Sequence, residues 1–331
     1  MPSLRPASSH TPRQRWPVRT EHRRFYDPLM SGRTSITLRA HAKINLALAV
    51  GPAAPPKGYH PIASWFTCVG LHDELTLTKG CDADASRWSV AWAADAPRPS
   101  PIDWPIEKDL AVRAHRLLEL TVNRGLPIEG LLVKRTPVGA GLGGGSADAA
   151  AALVGINDLF SLGLSRDKLR DLSMTLGSDI AFFIDDEGEA ARPALVTGFG
   201  ERIDRLARLS GHLVLFFPRF GCPTGSVYQA FDRTAPGPLR EHDVRALIAT
   251  PASGLAQAAL FNDLATPACD VEPRLAIMQA TLRERLRVPV HITGSGSTMF
   301  AIARDGADAE RLASAAGEAC PEVVALATGF V

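Results

Sequence analysis

The chain has no excess of charge of either sign: Lys plus Arg number 36 and Asp plus Glu 35, a formal net charge of +1. No global field therefore draws it to nucleic acid or to an anionic membrane, and any affinity for phosphate must be local. Also missing is an uninterrupted apolar run of membrane-spanning length. The five cysteines (Cys68, Cys81, Cys222, Cys269, Cys320) are odd in number, scattered, and include no Cys-x-x-Cys pair. That pattern argues against a disulfide framework and a structural zinc site, and makes a reducing cytoplasm the expected compartment. The nine histidines lack His-Glu-x-x-His or any other ligand spacing, so no metal held by protein alone is expected.

What is present begins with bulk. At 331 residues and 46% hydrophobic content the chain exceeds one ordinary core, and two domains are the natural expectation. Residues 1–33 are rich in Arg, Ser, Pro and His without apolar periodicity, and are expected to be a disordered extension. Patterned sequence starts just beyond Met30, which makes that residue a candidate start. A composition shift around Arg205–Gly211 divides the remainder into 34–206 and 207–331.

The stretch with the most chemical content is Lys134 to Leu153. An apolar run, Ile128 to Val133, reads as a strand, and Gly139, Gly141, Gly143, Gly144 and Gly145 follow. Ser146 then opens an Ala-rich helical pattern. Glycines without Cβ let a ligand approach the backbone, while the N–H groups of a helix start lack partners and sit at the positive end of the dipole. Strand, glycine loop and helix N-terminus together make an anion cradle, best suited to phosphate. Gly139, Gly141 and Gly144 satisfy Gly-x-Gly-x-x-Gly. However, the next pattern is a second helix, Ser165–Leu176, where a dinucleotide site needs a strand ending in an acid. Gly139 to Ser146 also fits the P-loop spacing, except that Gly145 stands where its lysine belongs.

Other residues carry two readings each. Thr34–Val50 alternates as two strands or one broken strand, and Ile62–Leu77 as further strands. Lys43 and Asn45 share a face, either solvated or functional. Tyr59-His60 is either a platform for a base or a buried aromatic at a strand start. Asp179, between a glycine turn and the apolar run to Ile184, is either a cap or a carboxylate at the edge of the core. Residues 80–108 form a polar, Pro-rich insertion around a short strand, Trp88–Trp92, before the helix Asp109–Val122. Further on, Leu195–Ile203 reads as a hairpin, and a helix starts at Pro223–Tyr228. A Pro/Ala-rich polar stretch precedes the helix Glu272–Leu286. Strands Val288–Thr293 and Thr298–Ala303, helix Ala307–Ala319 and strand Val323–Ala327 complete what reads as a small α+β sandwich.

The sequence resembles the GHMP kinases. The motifs that carry the likeness are Pro-Val-Gly-Ala-Gly-Leu-Gly-Gly-Gly-Ser-Ala-Asp-Ala-Ala at 137–150 and Gly-Ser-Gly-Ser-Thr-Met-Phe at 294–300. Ala-Lys-Ile-Asn-Leu at 42–46, Gly-Tyr-His at 58–60, Leu-Gly-Ser-Asp-Ile-Ala-Phe-Phe at 176–183 and Pro-Thr-Gly-Ser-Val-Tyr at 223–228 narrow it to the branch acting on a cytidyl-methylerythritol diphosphate. The likeness spans roughly residues 36 to 330. It implies an α+β two-domain fold, with a ribosomal-S5-domain-2-like N-terminal α/β domain and a smaller C-terminal α+β sandwich. It also implies ATP with Mg²⁺ as phosphoryl donor and a small-molecule alcohol as acceptor.

Residue by residue, the resemblance makes Asp179 the general base and Lys43 its partner. It gives Lys134, Pro137, Val138, Gly139, Ala140, Gly141, Leu142, Gly143, Gly144, Gly145, Ser146 and Ala147 to ATP, and Asn45, Tyr59, His60, Thr224 and Tyr228 to the acceptor. Lys57 and Asp109 depart from the pattern, where the family has Asp and commonly Asn. The rival readings are another GHMP small-molecule kinase, of homoserine or mevalonate type, and a nucleotide- or RNA-binding S5-like module. A monomer or a homodimer fits equally.

Overall fold

Apolar alternation from Thr34 onward produces β1 (Ser35–Val50), paired antiparallel with β2 (Ile62–Lys79) from Ser35↔Thr78 to Val50↔Ile62. These come from a computed structural model that describes residues 34–55, 58–80, 85–250 and 257–331. The expected disordered extension, Met30, Lys57 and Cys81 lie outside those residues. β1 is one strand, not two, because β2 runs unbroken beside it. The interruption seen in the sequence is a pair of register shifts, at His41/Lys43 and Asn45/Ala47. They bracket Lys43–Asn45 and re-aim those side chains, a common use of bulges beside a site.

β3 (Arg87–Trp92) lies parallel to β4 (Ile128–Lys134), and β4 is antiparallel to the Glu74–Lys79 half of β2. The Ile62–Phe66 half of β2 pairs with β5 (Ala194–Gly198), which forms the expected hairpin with β6 (Arg202–Arg205). One face is covered by α1 (Leu110–Val122) and α2 (Gly144–Leu159), packed on each other and on β1 and β2. Leu75, Leu77, Leu118, Leu132, Leu153 and Ile156 fill the layer between them and are almost fully buried. Each such side chain contributes about 1.5–3 kcal/mol relative to exposure. Ala147, Ala149, Ala150 and Ala152 keep that face of α2 thin. α3 (Arg166–Ser173), capped by Ser165, and the single turn α4 (Ile180–Phe183) bring the chain back to the cleft.

The second sheet is antiparallel throughout. β7 (His212–Pro218) is central, with β10 (Val323–Gly329) on one side and β9 (Met299–Ala303) then β8 (His291–Ile292) on the other. Around it lie α5 (Thr224–Arg233), α6 (Glu241–Ala249), α7 (Ala265–Val271), α8 (Pro273–Leu286) and α9 (Gly306–Ala319). The strand expected over Val288–Thr293 shrinks to two residues. Gln279 and Arg283 side chains take the Val290 carbonyl, at 2.8 and 2.7 Å, that a longer ladder would have used. The Pro/Ala-rich stretch holds two helices that the sequence reading missed. Each is too short for its periodicity to stand out, and α6 is held by burying Val244.

Thr34–Val331 is one compact unit. β1–β6 belong to the first sheet and β7–β10 to the second. Phe330 bridges to Val69 of β2, and the end of β1 bonds to the 261–263 segment through Leu48 N–H to Phe261 O and Asp263 N–H to Leu48 O, both 2.9 Å.

Candidate active site

The chain leaves β4 at Lys134 and enters the loop Pro137–Gly143 before α2. Gly141 has φ +79°, and a Cβ there would lie 2.4 Å from the Thr293 carbonyl oxygen. Only glycine lets the loop rest on the turn that follows β8. Gly143, φ +68°, is the N-cap of α2, and no side chain caps that helix. Its first-turn amides are therefore open to an anion. The loop is pinned from both sheets, by Lys43 N–H to Leu142 O at 2.9 Å and Thr298 N–H to Ala140 O at 3.2 Å.

Pro137 through Ser146 line a cleft of about 680 Å³. Ala147 does not line it; its side chain is packed in the core behind. Lys134 lines the base of the cleft but is 4% exposed, its ammonium between Asp73 and Asp148, 2.6 Å from each. Burial works against that charge, but Asp148 and then Asp73 hold the ammonium above its ordinary range.

In the same cleft and beside Gly143, Lys43 Nζ stands 3.6 Å from Asp179 Oδ2, donates to Asn45 Oδ1 at 2.8 Å and lies 4.5 Å from the centre of the Phe66 ring. Burial pushes the Lys43 ammonium below the usual lysine range, and the Asp179 carboxylate partly restores it. Lys43 and Asn45 are 4% and 3% exposed, so theirs is no solvated strand face. Asp179 occupies the N-cap position of α4 but its carboxylate caps nothing; it faces Lys43 instead. Asn45 is held in turn by Ser64 Oγ and by Thr293 Oγ1, which accepts from the Asn45 N–H at 2.9 Å and donates to its Oδ1 at 3.2 Å. A backbone-anchored relay, Thr293–Asn45–Lys43–Asp179, thus fixes an ammonium beside a partly exposed carboxylate.

From the second sheet's helices, Tyr228 of α5 reaches the same cleft. Burial, then the Asp179 charge, pushes its phenol up to about 12, so it is neutral at physiological pH. Its ring is 4.8 Å from that of His60, whose Nε2 is 2.8 Å from Asp232 Oδ1. Thr224 lines the cleft with its hydroxyl 3.0 Å from Ser295 Oγ. Tyr59 is 62% exposed, and neither it nor His60 is among the cleft-lining residues; His60 stands behind Tyr228. Tyr59 is therefore not the buried aromatic of the alternative reading.

Sequence reasoning passed over several cleft residues. Ser295 belongs to the 294–297 turn, whose glycine-serine pattern was visible but carried no assignment. Phe66 sits inside β2, where nothing local separates it from ordinary strand residues; Thr293 and Asp73, also unassigned, are fully buried behind the lining and support it. Trp104 and Lys108 come from the Pro-rich insertion. Asp109 is fully employed: Oδ1 accepts from Ala111 N–H at 2.9 Å and Oδ2 from the Trp104 indole at 3.2 Å.

A glycine cradle at a helix start and a lysine–carboxylate pair in the same cleft, lined from both sheets' elements, define a GHMP-type small-molecule kinase, and residues 109–186 match the GHMP kinases N terminal domain. The 4-diphosphocytidyl-2-C-methyl-D-erythritol kinase of Thermobifida fusca is 34% identical over 306 residues, covering 89% of this chain and 96% of its own; that of Moorella thermoacetica is 36% identical over 302 residues, covering 88% and 99%. The chain belongs to the 4-diphosphocytidyl-2-C-methyl-D-erythritol kinase family. A crystal structure of a 4-(cytidine 5'-diphospho)-2C-methyl-D-erythritol kinase superposes with a TM-score of 0.70 at 30% identity, covering 89% of this chain and 99% of the other. Homoserine kinase from Cytophaga hutchinsonii shares the fold, with a TM-score of 0.64 at 16% identity over 91% and 96%.

Proposed function

We propose that this protein transfers the γ-phosphoryl group of ATP to the 2-hydroxyl of 4-diphosphocytidyl-2-C-methyl-D-erythritol, giving the 2-phosphate and ADP, in the non-mevalonate route to isoprenoid precursors. The observation that carries the reading is the Lys43–Asp179 pair at 3.6 Å, in the same cleft as the glycine cradle and with Lys43 beside Gly143. Phosphoryl transfer passes through a loose transition state, so it needs positioning and charge neutralisation more than covalent help. In this reading the amides of 139–146 hold the phosphates. Asp179 accepts the hydroxyl proton, while Lys43 keeps Asp179 ionised and offsets charge on the acceptor oxygen.

Among the described residues no cluster of three or more His, Cys, Asp or Glu could hold a metal. In this reading Mg²⁺ would arrive on the triphosphate, with the Ser146 hydroxyl on the cleft wall available to it, and would supply the countercharge that Gly145 cannot. His60 and Tyr228 supply the aromatic wall for a cytosine, with Asn45 and Thr224 beside it. Tyr59 joins them in this reading only by moving inward from its exposed position.

Residues 34–206 would form the ATP-binding domain and 207–331 the C-terminal domain, with acceptor residues drawn from both. The unpaired thiols of Cys68, Cys222, Cys269 and Cys320 support a cytoplasmic setting. No helix among the described residues is long and apolar enough to cross a membrane. The deciding assay is ADP release with the cytidyl-diphosphate substrate set against homoserine, mevalonate and no acceptor. Turnover confined to the first is expected, and preference for homoserine or mevalonate would overturn the assignment.

A further inference from the structure

Beneath the glycine loop, Lys134, Asp73 and Asp148 are packed together at 4%, 0% and 1% exposure. They come from three elements: Asp73 from β2, Lys134 from the last position of β4, and Asp148 from the start of α2. Lys134 Nζ donates to Asp73 Oδ2 and to Asp148 Oδ2, each at 2.6 Å. The other oxygen of Asp73 accepts from the Arg135 and Thr136 N–H groups at 2.6 and 2.7 Å. Those two amides carry the chain out of β4 toward the loop. One carboxylate thus grips the near end of the loop and, through Lys134, the helix that closes its far end.

A buried ionic cluster is poor evidence of added stability, because apolar replacements of similar volume are often neutral or better. What an ammonium between two carboxylates adds here is a defined spacing and direction. Packing alone does not demand these charges, and their geometry bears on the phosphate site. Asp148 Oδ1 and Thr136 Oγ1 are buried with no hydrogen-bond partner, and both residues lie on the cleft wall beside Gly144. A Cβ on Gly144 would come within 2.7 Å of the Thr136 methyl carbon, so loop exit and helix start are already in contact.

We propose that the Lys134–Asp73–Asp148 cluster is a positioning device for the phosphates of ATP, holding the loop and the first turn of α2 so that their amides converge, with Lys134 acting through its two carboxylates and not on phosphate. This deepens the kinase reading and rests on it. The test is calorimetric binding of ADP and of adenosine to the full chain and to Lys134→Met and Asp148→Asn, with thermal melts to establish folding. Asp148→Asn keeps the side-chain shape and the Lys134–Asp73 bond, so it decides the matter if Lys134→Met does not fold.

In both variants ADP affinity is expected to fall about tenfold or more, the scale of a cradle displaced by a fraction of an ångström, with adenosine affinity unchanged. ADP binding in Asp148→Asn as tight as or tighter than wild type, with loss only in Lys134→Met, would make Lys134 a direct phosphate ligand and overturn the proposal. Equal losses for ADP and adenosine would reduce the cluster to general packing, with the same consequence. A wild-type chain that binds no ADP sinks the kinase reading itself. One that binds ADP yet leaves the cytidyl substrate untouched sinks only the substrate assignment.

Discussion

Lys43 illustrates what a single residue must satisfy here. Its ammonium is almost sealed from water, a costly placement unless opposite charge and hydrogen bonds surround it. Asp179 and Asn45 supply both, and the Phe66 ring lies beside it. Asp179→Asn and Lys43→Ala are expected to fold, yet to lower turnover by about 10²–10⁴, the usual worth of a positioned base. Steady-state ADP release checks this, and near-wild-type turnover in either variant would remove the pair from the mechanism. Tyr228→Ala is expected to raise KM for the cytidyl substrate while KM for ATP stays near wild type, since the Tyr228 ring stands beside His60, in the acceptor pocket proposed above. An unchanged acceptor KM would place the cytosine elsewhere.

The glycine loop works as an element because it is wedged between the two sheets' contributions. Gly139 and Gly141 both have positive φ, but the Cβ of an alanine would meet nothing within 4 Å at Gly139 and the Thr293 carbonyl at 2.4 Å at Gly141. Gly139→Ala should therefore carry only left-handed strain, about 1–2 kcal/mol in denaturant unfolding. Gly141→Ala should lose more stability than that and weaken ADP binding as well, because the loop must lift off the 293–298 turn. Equal effects for the two substitutions would mean that the loop does not rest there. The same wedge explains why Ser295, visible only as part of a glycine-serine turn, is a cleft residue.

At the scale of the whole molecule, three imidazoles among the described residues, His41 and His115 buried and His291 half-buried, make the fold sensitive to acid. Burial is the leading cause in each: His41 and His115 are lowered, and His291, with the Arg283 charge adding to the effect, lies at about 4. As pH falls below 6.5 the unfolded chain takes up these protons first, so stability present at neutral pH is lost progressively toward pH 4. Thermal melts should show a lower Tm at pH 5 than at pH 7, with the difference smaller in a His291→Asn variant. A flat profile between those values would exclude buried neutral histidines as the cause. Local pattern alone could not pick out these residues, because a histidine in a strand or a helix looks the same whether its ring is buried or wet.

From the sequence by itself came the elements with strong local signatures: the glycine loop and its helix, the helix expected over Asp109–Val122, and the short motifs carrying the family likeness. Glycine without Cβ and apolar periodicity act within a few residues, so they can be read without the fold. Only the tertiary structure decided between the paired readings. It turned Lys43 and Asn45 inward through two bulges, aimed Asp179 at Lys43 instead of at a helix end, left Tyr59 at the surface, and shortened β8 when Gln279 and Arg283 captured a carbonyl. Each outcome depends on partners tens to hundreds of residues away, whose meeting is set by strand register and packing, and no local pattern carries that information.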